Sequence, residues 1–144
     1  MKWTPPKRGL GRDARANAAA RRSVFGQVLR RARFRCEGCG GGEASLEWCH
    51  VLGRPHSGAN LGPLANSAAL TMALCPDCHR AYDQHRDVEL RLALLSRALD
   101  RLAGRPSGHM WHELAGLSDE AKEDWLKTEI RAAVRALEAA GQEP

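Results

Sequence analysis

Two CxxC pairs, Cys36/Cys39 and Cys75/Cys78, constrain this 144-residue chain more than any other feature. Each pair offers two thiols from one tight turn, and 35 residues separate the pairs. Zinc takes four soft donors in a tetrahedron, and a CxxC knuckle eased by glycine supplies half of them. The first knuckle, Cys36-Glu37-Gly38-Cys39-Gly40, carries its glycines; the second is Cys75-Pro76-Asp77-Cys78. The expectation is one closed Zn²⁺ site that staples the fold and leaves no open position for water. A redox role would more naturally use one CxxC in a thioredoxin-like setting. The region between the knuckles is rich in loop residues, and a staple would compensate for its small apolar content.

Charge is unevenly placed. Residues 1–35 hold 11 of the 22 Lys and Arg and one acid, a net of +10; the other 109 residues carry a net of −5. A basic segment ahead of a mildly acidic body reads as a polyanion-binding arm, with Arg21, Arg22, Arg30, Arg31, Arg33 and Arg35 as its phosphate contacts. Its plainer reading is a solvated leader. No apolar run is long enough to span a membrane, and no apolar segment follows the N-terminal basic residues. A cytoplasmic protein with reduced thiols is expected.

Pro5, Pro6, Gly9 and Gly11 discourage regular structure at the start, and residues 13–33 read as a basic helix with an apolar strip of Ala20, Val24, Val28 and Leu29. Residues 46–51 and 70–74 fit two strands, and 52–69, rich in Gly, Pro, Asn and Ser, reads as a long loop. A helix should begin at the second knuckle and carry His79, Asp83 and His85. Two amphipathic helices follow. Asp87 to Ala103 has Val88, Leu92, Leu95, Leu99 and Leu102 on one face; Asp119 to Ala140 has Leu126, Ile130, Ala133 and Leu137, an N-cap at Ser118 and a stop at Gly141. These stripes would pack on each other or form a homodimer with a second copy. The division expected is an arm (1–35), a site-bearing core (36–86) and a helical extension (87–144).

Within the core, the order is specific. Cys36-x2-Cys39 is followed by Leu46-Glu47-Trp48-Cys49-His50-Val51-Leu52-Gly53-Arg54, then by Leu74-Cys75-Pro76-Asp77-Cys78-His79-Arg80. Over about residues 36–86 this resembles an HNH endonuclease of phage or bacterial type, with a four-cysteine zinc site. The resemblance implies an α+β, mostly α chain holding a ββα-metal (His-Me finger) unit, flanked by the basic helix and the C-terminal helices. It implies phosphodiester hydrolysis on DNA, with a histidine at the end of the first strand as general base and one divalent cation held between strand and helix.

Carried over by position, the resemblance makes His50 the base, Arg54 a phosphate clamp, and His79 with Asp83 the helix ligands of a catalytic Mg²⁺, Mn²⁺ or Ni²⁺. Positions i and i+4 share a helix face, so His79 and Asp83 can grip one ion. Many relatives have a second histidine where Asp83 stands. The residue before the base, usually His or Asp, is Cys49 here: either a soft ligand or a small buried hydrophobe. Ideal strand alternation also sends Cys49 and His50 to opposite faces. The asparagine that orients the base falls on Leu70, so Asn66, or else Asn60, would substitute. His85 and His56 could replace ligands or contact phosphate, whereas His109 and His112 lie outside the motif. Two other readings compete with the nuclease: a non-catalytic zinc-stapled DNA-binding module, and a protein-interaction domain built on the C-terminal helices.

Overall fold

A computed structural model describes residues 12–42, 45–53, 62–106 and 114–141, with side chains from Arg22 onward and none at 62–63. The element order is α1 (Arg12–Arg31), β1 (Glu47–His50), two short 3-10 turns (Gly62–Asn66 and Ala68–Leu70), β2 (Thr71–Leu74), α2 (Pro76–Asp83), α3 (Val88–Ala103) and α4 (Asp119–Ala139). The described chain is thus α+β and mostly helical, with a single two-stranded antiparallel sheet among the described residues. None of its helices is long and apolar enough to cross a membrane.

The strands pair Glu47 with Leu74 and His50 with Thr71. β2 is buried at all four positions, while in β1 only Cys49 is fully buried. Beyond the ladder, Val51 N–H donates to the Leu70 carbonyl at 2.9 Å, and the Tyr82 hydroxyl of α2 donates to the Val51 carbonyl. Those two bonds fix where β1 ends relative to α2. The second half of the expected 52–69 loop is therefore not irregular: its two 3-10 turns carry Ala65, Ala69 and Leu70 into the core. Thr71 Oγ1 closes the second turn on the Ser67 carbonyl at 2.9 Å.

Helices α2, α3 and α4 each start on a cap. Cys75 caps α2, with Pro76 in the first turn where its missing N–H costs nothing. Asp87 accepts from Leu90 N–H at 3.0 Å, and Ser118 accepts from Ala121 N–H at 3.2 Å. Gly104, at φ +65, ends α3 in the left-handed conformation that glycine adopts without strain. The α3 and α4 stripes face each other through Leu92, Leu95 and Leu99 on one side and Leu126, Ile130 and Val134 on the other, all buried. Each such side chain contributes about 1.5–3 kcal/mol by leaving water. Val88, expected on that stripe, is instead 43% exposed; Ala133 and Leu137 pack against the core as expected, and Val134 is fully buried beside them.

The two helices are joined by more than apolar contact. Arg91, buried in α3, pairs with Glu123 of α4, donates to the Tyr82 carbonyl at 2.7 Å, and lies 4.5 Å over the Tyr82 ring. One hydrophobic cluster runs from Cys36 through the hairpin and α2 to Val134, so hairpin and helices share a core.

Candidate metal centres and the histidine of β1

The first centre is the one the cysteine spacing announces. Cys36, Cys39, Cys75 and Cys78 present sulfurs that all lie within 4.8 Å of one another, close enough to bind one metal ion. Cys36 and Cys75 are buried, Cys78 is half-buried and Cys39 is exposed. Backbone N–H groups converge on the buried sulfurs. Gly38 and Cys75 point at Cys36 Sγ from 3.3 Å, Cys39 points at it from 3.5 Å, and Cys78 points at Cys75 Sγ from 3.5 Å. Burial works against a Cys36 thiolate, but the N–H groups of Cys39, Cys75 and Gly38 outweigh it and bring the thiol down to about 7. Burial and the neighbouring thiols push Cys78 upward.

A Cβ added at Gly38 would stand 2.9 Å from Leu90 Cδ1 and 3.2 Å from Cys78 Sγ, so a side chain there would invade the cluster. Gly40, at φ +76, turns the first knuckle back so that Cys36 N–H reaches the Gly41 carbonyl at 2.8 Å. Four thiols from two knuckles are the donor set of a structural zinc.

Glu37, between the two cysteines of the first knuckle, ties that site to the fold. Its backbone N–H donates to the Ala73 carbonyl at 2.9 Å, and its carboxylate accepts from Ala73 N–H at 2.8 Å. Arg31, the last residue of α1, grips the same carboxylate with two N–H groups at 3.0 Å and donates to the carbonyls of Ala68 and Thr71. The sequence placed Arg31 among the phosphate contacts; its guanidinium is turned inward as a clamp between helix, knuckle and β2. Arg22, Arg30, Arg33 and Arg35 are exposed, while the side chain of Arg21 lies outside the described residues. Arg101, behind Arg31, donates twice to the Ala69 carbonyl, and burial next to Arg31 lowers it to about 10.

The second centre sits farther along α2. Ligand atoms of Cys49, His79 and Asp83 lie within 4.8 Å of one another. His79 Nε2 is 3.1 Å from Asp83 Oδ2, across one turn of α2. Cys49 reaches them from β1, 1% exposed, and burial together with the Asp83 charge raises its thiol to about 12. Beside Asp83 opens a cavity of about 220 Å³, bordered by Gly53, His85, Arg91 and Lys127. His85, expected on the helix, lies beyond its end at φ +54.

His50 has other company. Its Nε2 is 2.7 Å from Asn66 Oδ1, on the first 3-10 turn, and its ring centroid is 4.9 Å from that of Trp48. Trp48 leans in turn on Phe25 of α1 at 6.4 Å. Strand alternation therefore holds: Cys49 turns toward α2, and His50 shares the opposite face with Trp48. With the Asn66 amide oxygen accepting, Nε2 carries the proton and Nδ1 keeps the basic lone pair. Arg54, His56 and Asn60 lie outside the described residues, as do His109 and His112.

Three participants were missed in the sequence: Glu37, Trp48 and Glu47, whose Oε1 is 3.0 Å from His79 Nδ1. A period-two count would have placed Glu47 on the Cys49 face. No comparable signal marks Glu37. Comparison with protein-family models, with curated proteins and with solved structures finds no match, so the motif order and this geometry carry the functional reading.

Proposed function

We propose that the chain is a metal-dependent DNA endonuclease of the HNH type, hydrolysing phosphodiester bonds with His50 as general base and one divalent cation at Cys49, His79 and Asp83. The observation that carries this reading is the pairing, on consecutive residues of β1, of an asparagine-oriented histidine with a mixed ligand cluster. A packing histidine would have no need of a neighbouring three-ligand site, and a purely structural ion would have no need of an oriented base.

The roles follow from what each group offers. Asn66 fixes the imidazole so that Nδ1 can take a proton from water. The Trp48 ring limits rotation of the imidazole. A bound divalent ion at the cluster would neutralise charge on the scissile phosphate and stabilise the leaving oxygen. Since Cys49 and His50 face opposite ways, this mechanism requires the reactive phosphate to be reached from both faces of β1 at its C-terminal end. Arg54, which lies outside the described residues, keeps the phosphate-clamp role that the resemblance gives it. A thiolate in the ligand set disfavours Mg²⁺, and among the ions expected from the motif it favours Ni²⁺. Cys36, Cys39, Cys75 and Cys78 would hold a structural Zn²⁺ that ties the two knuckles together. Exposed Arg22, Arg30, Arg33 and Arg35 track the DNA backbone.

The test is incubation of supercoiled plasmid with the zinc-loaded chain and a panel of Mg²⁺, Mn²⁺, Ni²⁺ and Zn²⁺. Ion-dependent conversion to nicked or linear DNA that EDTA abolishes is the expected result. Salt-sensitive DNA binding without cleavage under any ion would overturn it in favour of a zinc-stapled binding module.

A further inference from the structure

His79 is held at both ring nitrogens. Nε2 faces Asp83 Oδ2 at 3.1 Å, and Nδ1 faces Glu47 Oε1 at 3.0 Å. The second contact comes from 32 residues away and from a different element. It arises from the hairpin register: Glu47 pairs with Leu74, which immediately precedes the Cys75 cap of α2, so the Glu47 side chain overhangs the first turns of that helix. Glu47 and Cys49 lie on the same strand face, one pleat apart. The Glu47 carboxylate is about half exposed, so it is not present to satisfy a buried donor.

A metal-binding histidine characteristically donates its other N–H to a carboxylate, which fixes tautomer and ring orientation and raises ligand basicity. The geometry assigns that role to Glu47: it is a positioning residue that takes Nδ1–H of His79 and so presents the Nε2 lone pair to an ion shared with Cys49 and Asp83. This rests on the proposed catalytic-metal site and adds the group that prepares it. Asp83 cannot do both jobs, because its carboxylate lies on the Nε2 side. Glu47 in turn need not touch the ion, because Nδ1 stands between them.

The experiment uses the full chain with zinc at the four cysteines, titrated with Co²⁺ and followed by absorbance. Cobalt at the second site should show a thiolate-to-metal band that Cys49→Ser abolishes. Glu47→Gln, which keeps an acceptor oxygen, should weaken Co²⁺ binding about 10-fold, and Glu47→Ala about 100-fold, within the range known for such partners. Zinc content and circular dichroism should stay unchanged, and the thiolate band should survive at saturating Co²⁺. In a His79→Ala background, Glu47→Gln should add no further loss, because its effect passes through the imidazole. Equal Co²⁺ affinity in wild type and both Glu47 variants would overturn the positioning role while leaving the site standing. An equal loss in Gln and Ala variants, persisting without His79, would also overturn it, showing only the general pull of a nearby charge. Absence of any zinc-independent cobalt band in wild type would instead remove the site itself, and the inference with it.

Discussion

One short helix serves two clusters of opposite character. At its start, Cys75 and Cys78 join Cys36 and Cys39 in a set made of one ligand type, ringed by N–H groups. Farther along, His79 and Asp83 join Cys49 in a set of three different ligands beside an open cavity. Four thiols complete a tetrahedron and exclude water; three mixed ligands leave positions for a substrate oxygen. On the proposed reading the difference separates a staple from a working site although both share α2, and each can be attacked separately.

The largest effect is expected at the staple. Cys36→Ser or Cys75→Ser should abolish zinc binding and, with it, the soluble folded chain, as metal analysis and circular dichroism will show. Cys49→Ser should leave both intact, because it belongs to the other cluster. Folded, zinc-free Cys36→Ser protein would end the contrast.

At the working site the expected loss is of activity alone. His79→Ala and Asp83→Ala should keep fold, zinc and DNA binding but cleave poorly, with excess Mn²⁺ restoring part of the rate. Cys49→Asp should shift the metal preference toward Mg²⁺, because a hard oxygen replaces sulfur. If none of the three alters the metal dependence of cleavage, the second cluster is not where the ion sits.

A smaller change tests how tightly the staple is cut to size. Gly38→Ala places a methyl group 2.9 Å from Leu90 and 3.2 Å from Cys78 Sγ. It should lower stability by about 1–3 kcal/mol, read as a drop in Tm, and weaken zinc while sparing the second site. An unchanged Tm would mean that the knuckle is slack.

The smallest change lies away from both. Burial alone would raise Glu123, but its hydrogen bond and ion pair with Arg91, with Lys127 beside it, hold its carboxyl below the ordinary glutamate value. Its contribution is therefore complete above that value and is lost as pH falls through the folded-state pKa. Glu123→Gln should cost ~1 kcal/mol at neutral pH and flatten the acid side of the stability curve, with both metal contents unchanged. A variant with an unaltered acid limb would show that the pair contributes nothing to the α3–α4 contact.

What the sequence disclosed and what it withheld divide along chain separation. The knuckles are local patterns, and so are the caps at Ser118 and Asp87 and the stripes of α3 and α4; each could be read from a few neighbouring residues. Strand alternation correctly set Cys49 and His50 on opposite faces. The clamp of Arg31 on Glu37 depends on how α1 meets β2, and the grip of Glu47 on His79 depends on a register that no local pattern states. His85 left the helix because α2 stops at Asp83 and the chain turns through a left-handed residue. Asn66 reaches His50 only because the loop before β2 winds into a 3-10 turn, a detail hidden in a run of small residues.

The central claim is that His50 is a base and not a packing residue, and side-by-side plasmid cleavage by wild type and His50→Ala in excess Ni²⁺ and Mn²⁺ tests it most directly. Positioned general bases contribute ~100- to ~10,000-fold, so the variant should lose cleavage by that factor while keeping zinc, fold and DNA affinity. Equal rates in the two proteins, with contaminating nuclease excluded, would contradict the account.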